Sequence, residues 1–251
     1  MNDNKGHASP AGAAGGKPSS AAAGSSTAGN GPAPRSWLER HITLHTHDNP
    51  REELASGLIH AAGVALSLIA AALLISRAAA SGRPTLIAGY IIYSISMTVL
   101  YLSSTLYHFT PPSNAKRILR ICDHMSIYLL IAGTYTAVLV NLTGPAVNLT
   151  LALVWLVAAG GMAFKIIFWG RFRLAQMLIY ILMGWLIVLV WGPVTSQVSR
   201  PFFSMVLTGG IVYTSGTLVY ALKKMPYYHA VWHLFVLAGS VFLFLGIYLY
   251  L

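Results

Sequence analysis

Residues 223–233 read KKMPYYHAVWH and lead directly into the last hydrophobic run of the chain. Two lysines and a proline come first, and His229 and His233 follow four positions apart. In a helix this spacing places both histidines on one face. Ionisable side chains are costly inside a bilayer and usually serve a function there. The start of this last hydrophobic run is therefore a candidate functional segment.

The composition is that of an integral membrane protein. The chain has 251 residues, of which 56% are hydrophobic and only 9% are charged, and its mean hydropathy is +0.65. Soluble globular proteins carry about 25% charged residues. The net charge of +10 does not indicate nucleic-acid binding, because most basic residues lie in short gaps between apolar runs, where they act as topology signals. The single cysteine, Cys122, excludes an internal disulfide and a metal site built from several cysteines.

The first fifty residues differ from the rest of the chain. Residues 1–34 consist mostly of Gly, Ala, Ser and Pro, and they have too few large apolar side chains to offset the entropy lost on folding. We predict a disordered cytoplasmic tail over residues 1–50, with a short interfacial helix around Trp37 and Leu38. Residues 51–251 are predicted to form the membrane domain.

Seven segments are candidates to cross a bilayer, whose hydrocarbon core of about 30 Å requires about 20 mostly apolar residues per helix. The predicted spans are Leu54–Ile75, Pro84–Tyr107, Ile118–Val140, Ala146–Ile167, Leu174–Trp191, Phe202–Leu222 and Tyr228–Leu251. The gaps between them carry Pro, Gly, Asn and Ser, as turns do. The sequence therefore predicts an all-α fold, a bundle of seven transmembrane helices.

The basic residues predict the orientation of this bundle. Eleven lysines and arginines flank the spans on the side of the N-terminus, against three on the opposite side. Because cytoplasmic loops are enriched in Lys and Arg, we expect a cytoplasmic N-terminus and an outside C-terminus. Without an apolar N-terminal signal segment, we expect the bacterial inner (plasma) membrane, where membrane lipids are the partners. The oligomeric state stays open.

Polar residues of several predicted spans lie in the cytoplasmic half of the bilayer. His108 ends the second span, four positions after Ser104, and His229 and His233 begin the seventh. Three histidines from two helices supply the ligand number of a catalytic zinc site, with a fourth position left for water. Asp123, at the start of the third span, is a candidate to orient that water or take its proton, and Ser104 is a candidate to hydrogen-bond it.

Other interpretations of these residues remain open. A histidine at a helix end is often an interfacial anchor, and Asp123 is also placed to cap the third span or to pair with Arg120. Glu53 and His60 share a helix face and form either a polar contact in the bundle or an outer partner of the metal site. A further group of histidines precedes the first span: His41, His45 and His47. We interpret that group as part of a solvated linker rather than as a metal site.

Three short motifs carry a resemblance to a known family. They are SSTLYH at residues 103–108, DHMSIYLLIAGTYT at residues 123–136, and HAVWH at residues 229–233. In this order and on one side of the membrane, they resemble the hemolysin III family, a bacterial branch of the superfamily of progestin and adipoQ receptors and alkaline ceramidases. The resemblance runs from about Arg51 to the C-terminus and leaves out the first fifty residues.

The resemblance implies a zinc ion held by His108, His229 and His233, with Asp123 and Ser104 in contact with the zinc-bound water. It also implies a cytoplasmic N-terminus. Three functions follow from it. The first is zinc-dependent hydrolysis of a lipid amide or ester. The second is a non-enzymatic role in membrane homeostasis or reception with a structural zinc, and the third is cytolysis by pore formation.

Overall fold

The computed structural model describes residues 36–44, 49–222 and 225–251. Within these ranges the regular structure is entirely helical. The helices are α1 (Trp37–His41), α2 (Pro50–Ser81), α3 (Pro84–Phe109), α4 (Asn114–Leu139), α5 (Pro145–Ile167), α6 (Arg173–Gly184), α7 (Trp191–Gln197), α8 (Arg200–Leu222) and α9 (Tyr228–Tyr250), with a 3-10 segment at Leu186–Val190. Of the predicted tail, residues 1–35 and 45–48 lie outside the described residues, and α1 lies at the predicted short helix around Trp37 and Leu38.

Six helical segments of the described ranges are long and apolar enough to cross a membrane. They are Pro50–Ala80, Pro84–Phe109, Pro145–Ile167, Arg173–Gln197, Arg200–Leu222 and Tyr228–Tyr250. Large apolar side chains face outward, and Leu149 and Leu156 are 71% and 70% exposed. Such an apolar surface suits hydrocarbon rather than water. The chain is therefore an integral membrane protein.

Helix α4 has a more polar character than these six. It has 26 residues, but its first ten include Lys116, Arg117, Arg120 and Asp123, and it is not among the apolar segments. It packs against α3 and α5 within the bundle. The predicted count of seven spans is thus supported for six of them.

The predicted fifth span, Leu174–Trp191, is correct in place but is not one continuous helix. α6 ends at Gly184, and the 3-10 segment and α7 follow it. Pro193 in α7 lacks a backbone N–H and its ring crowds the carbonyl of the preceding turn, which disfavours an unbroken α-helix. The carbonyl group of Gly184 accepts a hydrogen bond of 2.9 Å from the Tyr135 hydroxyl. In an apolar setting a backbone group left by a broken helix needs such a partner.

The segment before α2 contains the short helix α1. Ser36 and Glu39 form a capping box at its start, and the His41 ring stacks on Trp37 with a centroid distance of 4.7 Å. Arg117 of α4 donates a hydrogen bond of 3.1 Å to the carbonyl of Ile42. This contact holds the segment against α4. His45 and His47 lie outside the described residues.

Helix α2 packs against both α3 and α9. Close packing depends on glycines: a Cβ atom at Gly63 of α2 would lie 2.3 Å from the Tyr101 ring of α3. As a result, the C-terminal turn of α3 lies beside the N-terminal turns of α2 and α9, where Glu53 contacts His108 and Glu52 contacts His229.

Candidate metal centre

Three histidine side chains from two helices meet at this end of the bundle. His108 lies in the last turn of α3, and His229 and His233 lie in the first two turns of α9. One ring nitrogen of each lies within 4.8 Å of the other two. Nε2 of His108 is 3.0 Å from Nε2 of His233. His108 and His233 are buried and His229 is half-buried, so the three rings form a largely enclosed cluster.

This spacing fits a tetrahedral metal ion. With Zn–N distances of 2.0–2.1 Å, two nitrogen ligands of a tetrahedral zinc lie about 3.3 Å apart. The His108–His233 separation of 3.0 Å is close to that value, and a ring nitrogen of His229 lies within 4.8 Å of both. Three imidazoles leave one of four tetrahedral positions for water or a substrate atom. The cluster can therefore hold a metal ion with an open position.

Ser104 and Asp123 border the histidine cluster. Ser104 is 0% exposed and precedes His108 by one turn of α3, and its hydroxyl has no hydrogen bond of ordinary geometry within the described ranges. The Asp123 carboxyl group interacts electrostatically with His108 and Arg120 and lies within reach of Ser104. Asp123 does not cap α4, because Ser113 is the N-cap. The structure thus brings both residues to the cluster, and their catalytic roles stay a prediction.

Glu53 is the residue whose role the sequence left open. Its Oε2 atom lies 2.9 Å from Nδ1 of His108 and 3.5 Å from Nζ of Lys116. A carboxylate beside Nδ1 orients the imidazole and leaves Nε2 to face the metal position. The only signal in the sequence was an acidic residue at the same depth as the histidines. Its pairing with a residue 55 positions away is a result of the fold.

The sequence is similar to those of known proteins. The sequence profile of the family described as "Haemolysin-III related" matches residues 49–244. The chain belongs to the haemolysin-III related family. This haemolysin-III protein is 41% identical to "Hemolysin-3" of Bacillus cereus over 201 residues, which cover 80% of this chain and 92% of the relative. It is 43% identical to "Hemolysin-3 homolog" of Bacillus subtilis (strain 168), again over 201 residues, 80% of this chain and 94% of the relative.

A more distant relative is human. The haemolysin-III protein is 29% identical to "Monocyte to macrophage differentiation factor" of Homo sapiens over 168 residues, 64% of this chain and 69% of the relative. All three similarities extend over most of the relative's length. The family resemblance inferred from the three sequence motifs is confirmed.

His60 of the haemolysin-III protein lies behind the metal centre rather than in it. Its side chain is 2% exposed, and its ring centroid is 3.8 Å from that of His233 and 5.1 Å from that of Tyr101. His124 faces away from the cluster, with its ring 5.3 Å from the ring of Trp169. The ligand set of three histidines therefore includes neither residue.

An apolar cavity of about 180 Å³ lies among α4, α6, α8 and α9, and none of the three clustered histidines is among its described lining residues. Its lining includes Ile127, Tyr180, Thr217, Trp232 and Val236. Trp232 is the residue next to the metal-ligand candidate on α9. About 10–15 Å³ of such space holds one water molecule, so the cavity has room for a chain of several carbon atoms. Its apolar walls favour hydrocarbon over a charged group.

Proposed function

We propose that this haemolysin-III protein is an intramembrane zinc-dependent hydrolase that cleaves an amide or ester bond of a membrane lipid. The observation that carries the proposal is the cluster of three imidazoles, with Nε2 of His108 3.0 Å from Nε2 of His233. Structural zinc sites usually have four protein ligands, whereas catalytic sites have three and an open position. The identity of the metal as zinc is part of the proposal, since imidazole ligands in a tetrahedral arrangement suit zinc.

The neighbouring side chains supply the proton transfers. A bound zinc ion provides a Lewis acid and lowers the pKa of water. In the reaction we propose, Asp123 accepts the proton of the attacking water while the hydroxide adds to the carbonyl carbon of the lipid. Asp123 then returns the proton to the leaving amine or alcohol. The Ser104 hydroxyl donates a hydrogen bond to the carbonyl oxygen as negative charge develops there.

The apolar cavity in the bundle supports a lipid as the substrate. It is lined by apolar side chains and reaches Trp232 and Val236, which flank His233 on α9. In the reaction we propose, an acyl chain occupies this cavity while the polar end of the lipid reaches the histidine cluster past Trp232 and Val236. The molecules around the bundle that combine an apolar chain with an amide or ester bond are membrane lipids.

We propose that α4 also crosses the membrane, as the third of seven spans, and that the N-terminus is cytoplasmic, with the protein in the bacterial inner membrane. The cationic residues at the start of α4, Lys116, Arg117 and Arg120, support this orientation through the positive-inside rule. A reporter enzyme that works only outside the cytoplasm, fused after Leu251, is expected to be active. Activity of a cytoplasm-specific reporter at that position would contradict the orientation.

A non-enzymatic protein with a structural metal is the second candidate. The ligands come from α3 and α9, and His108 and His233 are 125 positions apart, so a metal ion joins the two helices whatever else it does. This alternative predicts that metal removal lowers the Tm while no lipid is turned over.

The test is a lipid-turnover assay with the purified protein in liposomes. Zinc-loaded wild type is expected to release a free fatty acid from amide- or ester-linked lipids, detected by mass spectrometry. The His233→Ala variant is expected to release none, and Ser204→Ala, at an exposed position of α8, is expected to match wild type. The hydrolase proposal would be contradicted if zinc-loaded wild type released no product, or if His233→Ala kept full turnover. Liposome leakage that is insensitive to His233→Ala would instead favour pore formation.

A further inference from the structure

We propose that Glu52 and Glu53 form a two-armed clamp that sets the positions of the metal-ligand histidines on α3 and α9. The two glutamates are neighbours in the first turn of α2 and belong to neither ligand-bearing helix. Consecutive residues of an α-helix point about 100° apart, so a neighbouring pair can contact two different helices. The inference rests on the proposed metal site but not on the hydrolase activity.

The first arm is the contact between Glu53 and α3. Oε2 of Glu53 lies 2.9 Å from Nδ1 of His108. When Nδ1–H donates to this carboxylate, the lone pair of Nε2 points towards His233, which is the direction required of a metal ligand. Without the carboxylate, the imidazole is free to rotate or to adopt the other tautomer.

The second arm is the contact between Glu52 and α9. Oε1 of Glu52 accepts a hydrogen bond of 3.1 Å from the backbone N–H of His229. The first N–H groups of a helix have no partner within the helix, and a carboxylate there satisfies one of them and interacts well with the helix dipole. Because the bond is to the backbone, it fixes the first turn of α9 and thereby the position of His229 and His233.

A lysine from a fourth helix completes the clamp. Nζ of Lys116 in α4 lies 3.5 Å from Oε2 of Glu53 and 5.0 Å from the ring centroid of Tyr107. Lys116 is buried, so this contact is little screened by water. Oε2 of Glu53 therefore has a second partner besides His108, which limits rotation of the carboxylate.

Acidic residues in a first turn also stabilise their own helix through its dipole, and this alone is the simpler interpretation. Such residues need no contact beyond their helix and are usually exposed. Glu52 is only 7% exposed, and both glutamates contact residues that bear or flank the ligands. The simpler interpretation predicts lower stability without a change in metal affinity, and this difference can be measured.

The test measures zinc affinity by competition with a chelator, using Glu53→Leu, Glu53→Gln and Glu52→Leu. The matched control is Glu39→Gln, at an exposed residue of α1, where Gln also suits a capping box. Loss of an outer partner of a metal ligand costs about 10- to 100-fold in affinity. We expect a loss of that size for both leucine variants and a smaller one for Glu53→Gln, whose amide oxygen still accepts a hydrogen bond. Glu39→Gln is expected to bind zinc as wild type does.

The visible absorption of bound Co²⁺ provides a second readout, because it reports the ligand geometry and not the stability of the fold. Wild-type zinc affinity and an unchanged Co²⁺ spectrum in Glu53→Leu and Glu52→Leu would overturn the clamp. Should Glu53→Leu fail to fold, unchanged affinity in Glu53→Gln and Lys116→Met would overturn the Glu53 arm. If wild type binds zinc but turns over no lipid, only the hydrolase proposal is contradicted. If wild type binds no divalent metal, both the hydrolase and the clamp are contradicted.

Discussion

Nε2 of His108 lies 3.0 Å from Nε2 of His233, although the two residues are 125 positions apart in the chain. One belongs to the last turn of α3 and the other to the second turn of α9. His229, one turn before His233 on α9, completes a cluster of three imidazoles, and Ser104 and Asp123 lie beside it. Both the metal site and the chemistry we propose depend on it.

The Asp123→Asn substitution tests the proton-transfer role of the carboxylate. We expect zinc content to stay at the wild-type level, while turnover of lipid falls by about 100-fold or more, because an amide cannot accept the proton of the attacking water. Cys122→Ser, at the exposed neighbouring position, is the control and is expected to keep full turnover. Equal turnover by Asp123→Asn and wild type would remove Asp123 from the reaction.

The adjacent serines of α3 form a matched pair for a second test. Ser104 faces the cluster, whereas the Ser103 hydroxyl bonds to the Leu100 carbonyl at 3.1 Å and lies 3.3 Å from the Ser126 hydroxyl. Ser104→Ala is expected to keep its zinc and to lose roughly 100-fold in turnover, the typical effect of removing one donor to a developing oxyanion. Ser103→Ala is expected to turn over lipid normally. The reverse pattern would contradict the role of Ser104.

Two neighbouring glycines of α5 test the close packing of α4 on α5. A Cβ atom at Gly161 would lie 2.3 Å from Cε1 of Tyr128, whereas at Gly160 no atom lies within 4 Å. Gly161→Ala is therefore expected to lower stability by about 1–3 kcal/mol, the usual effect of overpacking. Gly160→Ala is expected to be neutral or slightly stabilising, since Ala favours a helix. Thermal unfolding in detergent measures both, and equal Tm values would show that the helices are not packed as described.

A buried hydroxyl group joins three helices deeper in the bundle. The Ser240 hydroxyl of α9 accepts a hydrogen bond of 2.6 Å from Tyr101 of α3 and lies 2.7 Å from the hydroxyl of Tyr213 of α8. Ser240→Ala leaves the buried phenol of Tyr101 and the partly buried phenol of Tyr213 without this partner, and the loss for Tyr101 is about 1–3 kcal/mol. We expect a clearly lower Tm with unchanged zinc content. The control is Ser204→Ala, because the Ser204 hydroxyl bonds only within α8 among the described contacts, and this variant is expected to keep the wild-type Tm. A Tm of Ser240→Ala equal to that of wild type would refute the contact between the three hydroxyl groups.

Periodicity and length predicted much of this molecule correctly. In hydrocarbon a chain segment has to satisfy its own backbone hydrogen bonds, so a long apolar run is almost always a helix. The four-residue spacing predicts that Ser104 shares a helix face with His108, and His229 with His233. The three short motifs were enough to identify the family.

The contacts between helices were beyond the reach of these patterns. The His108–His233 pair and the Glu53–His108 pair join residues 125 and 55 positions apart, and spacing along one helix says nothing of its neighbours. The break in the fifth span had a local signal in Pro193, but hydropathy alone did not register it. The polar start of α4 is the physical reason why length and composition support six spans rather than seven.

Metal analysis of the purified protein tests directly whether the cluster of three histidines binds zinc. The measurement compares the zinc content of wild type with that of His229→Ala and of Glu39→Gln, all purified without added metal. The account predicts about one zinc ion per chain in wild type and in Glu39→Gln, and little or none in His229→Ala. A wild-type protein free of first-row transition metals, or a His229→Ala variant with full zinc content, would contradict it.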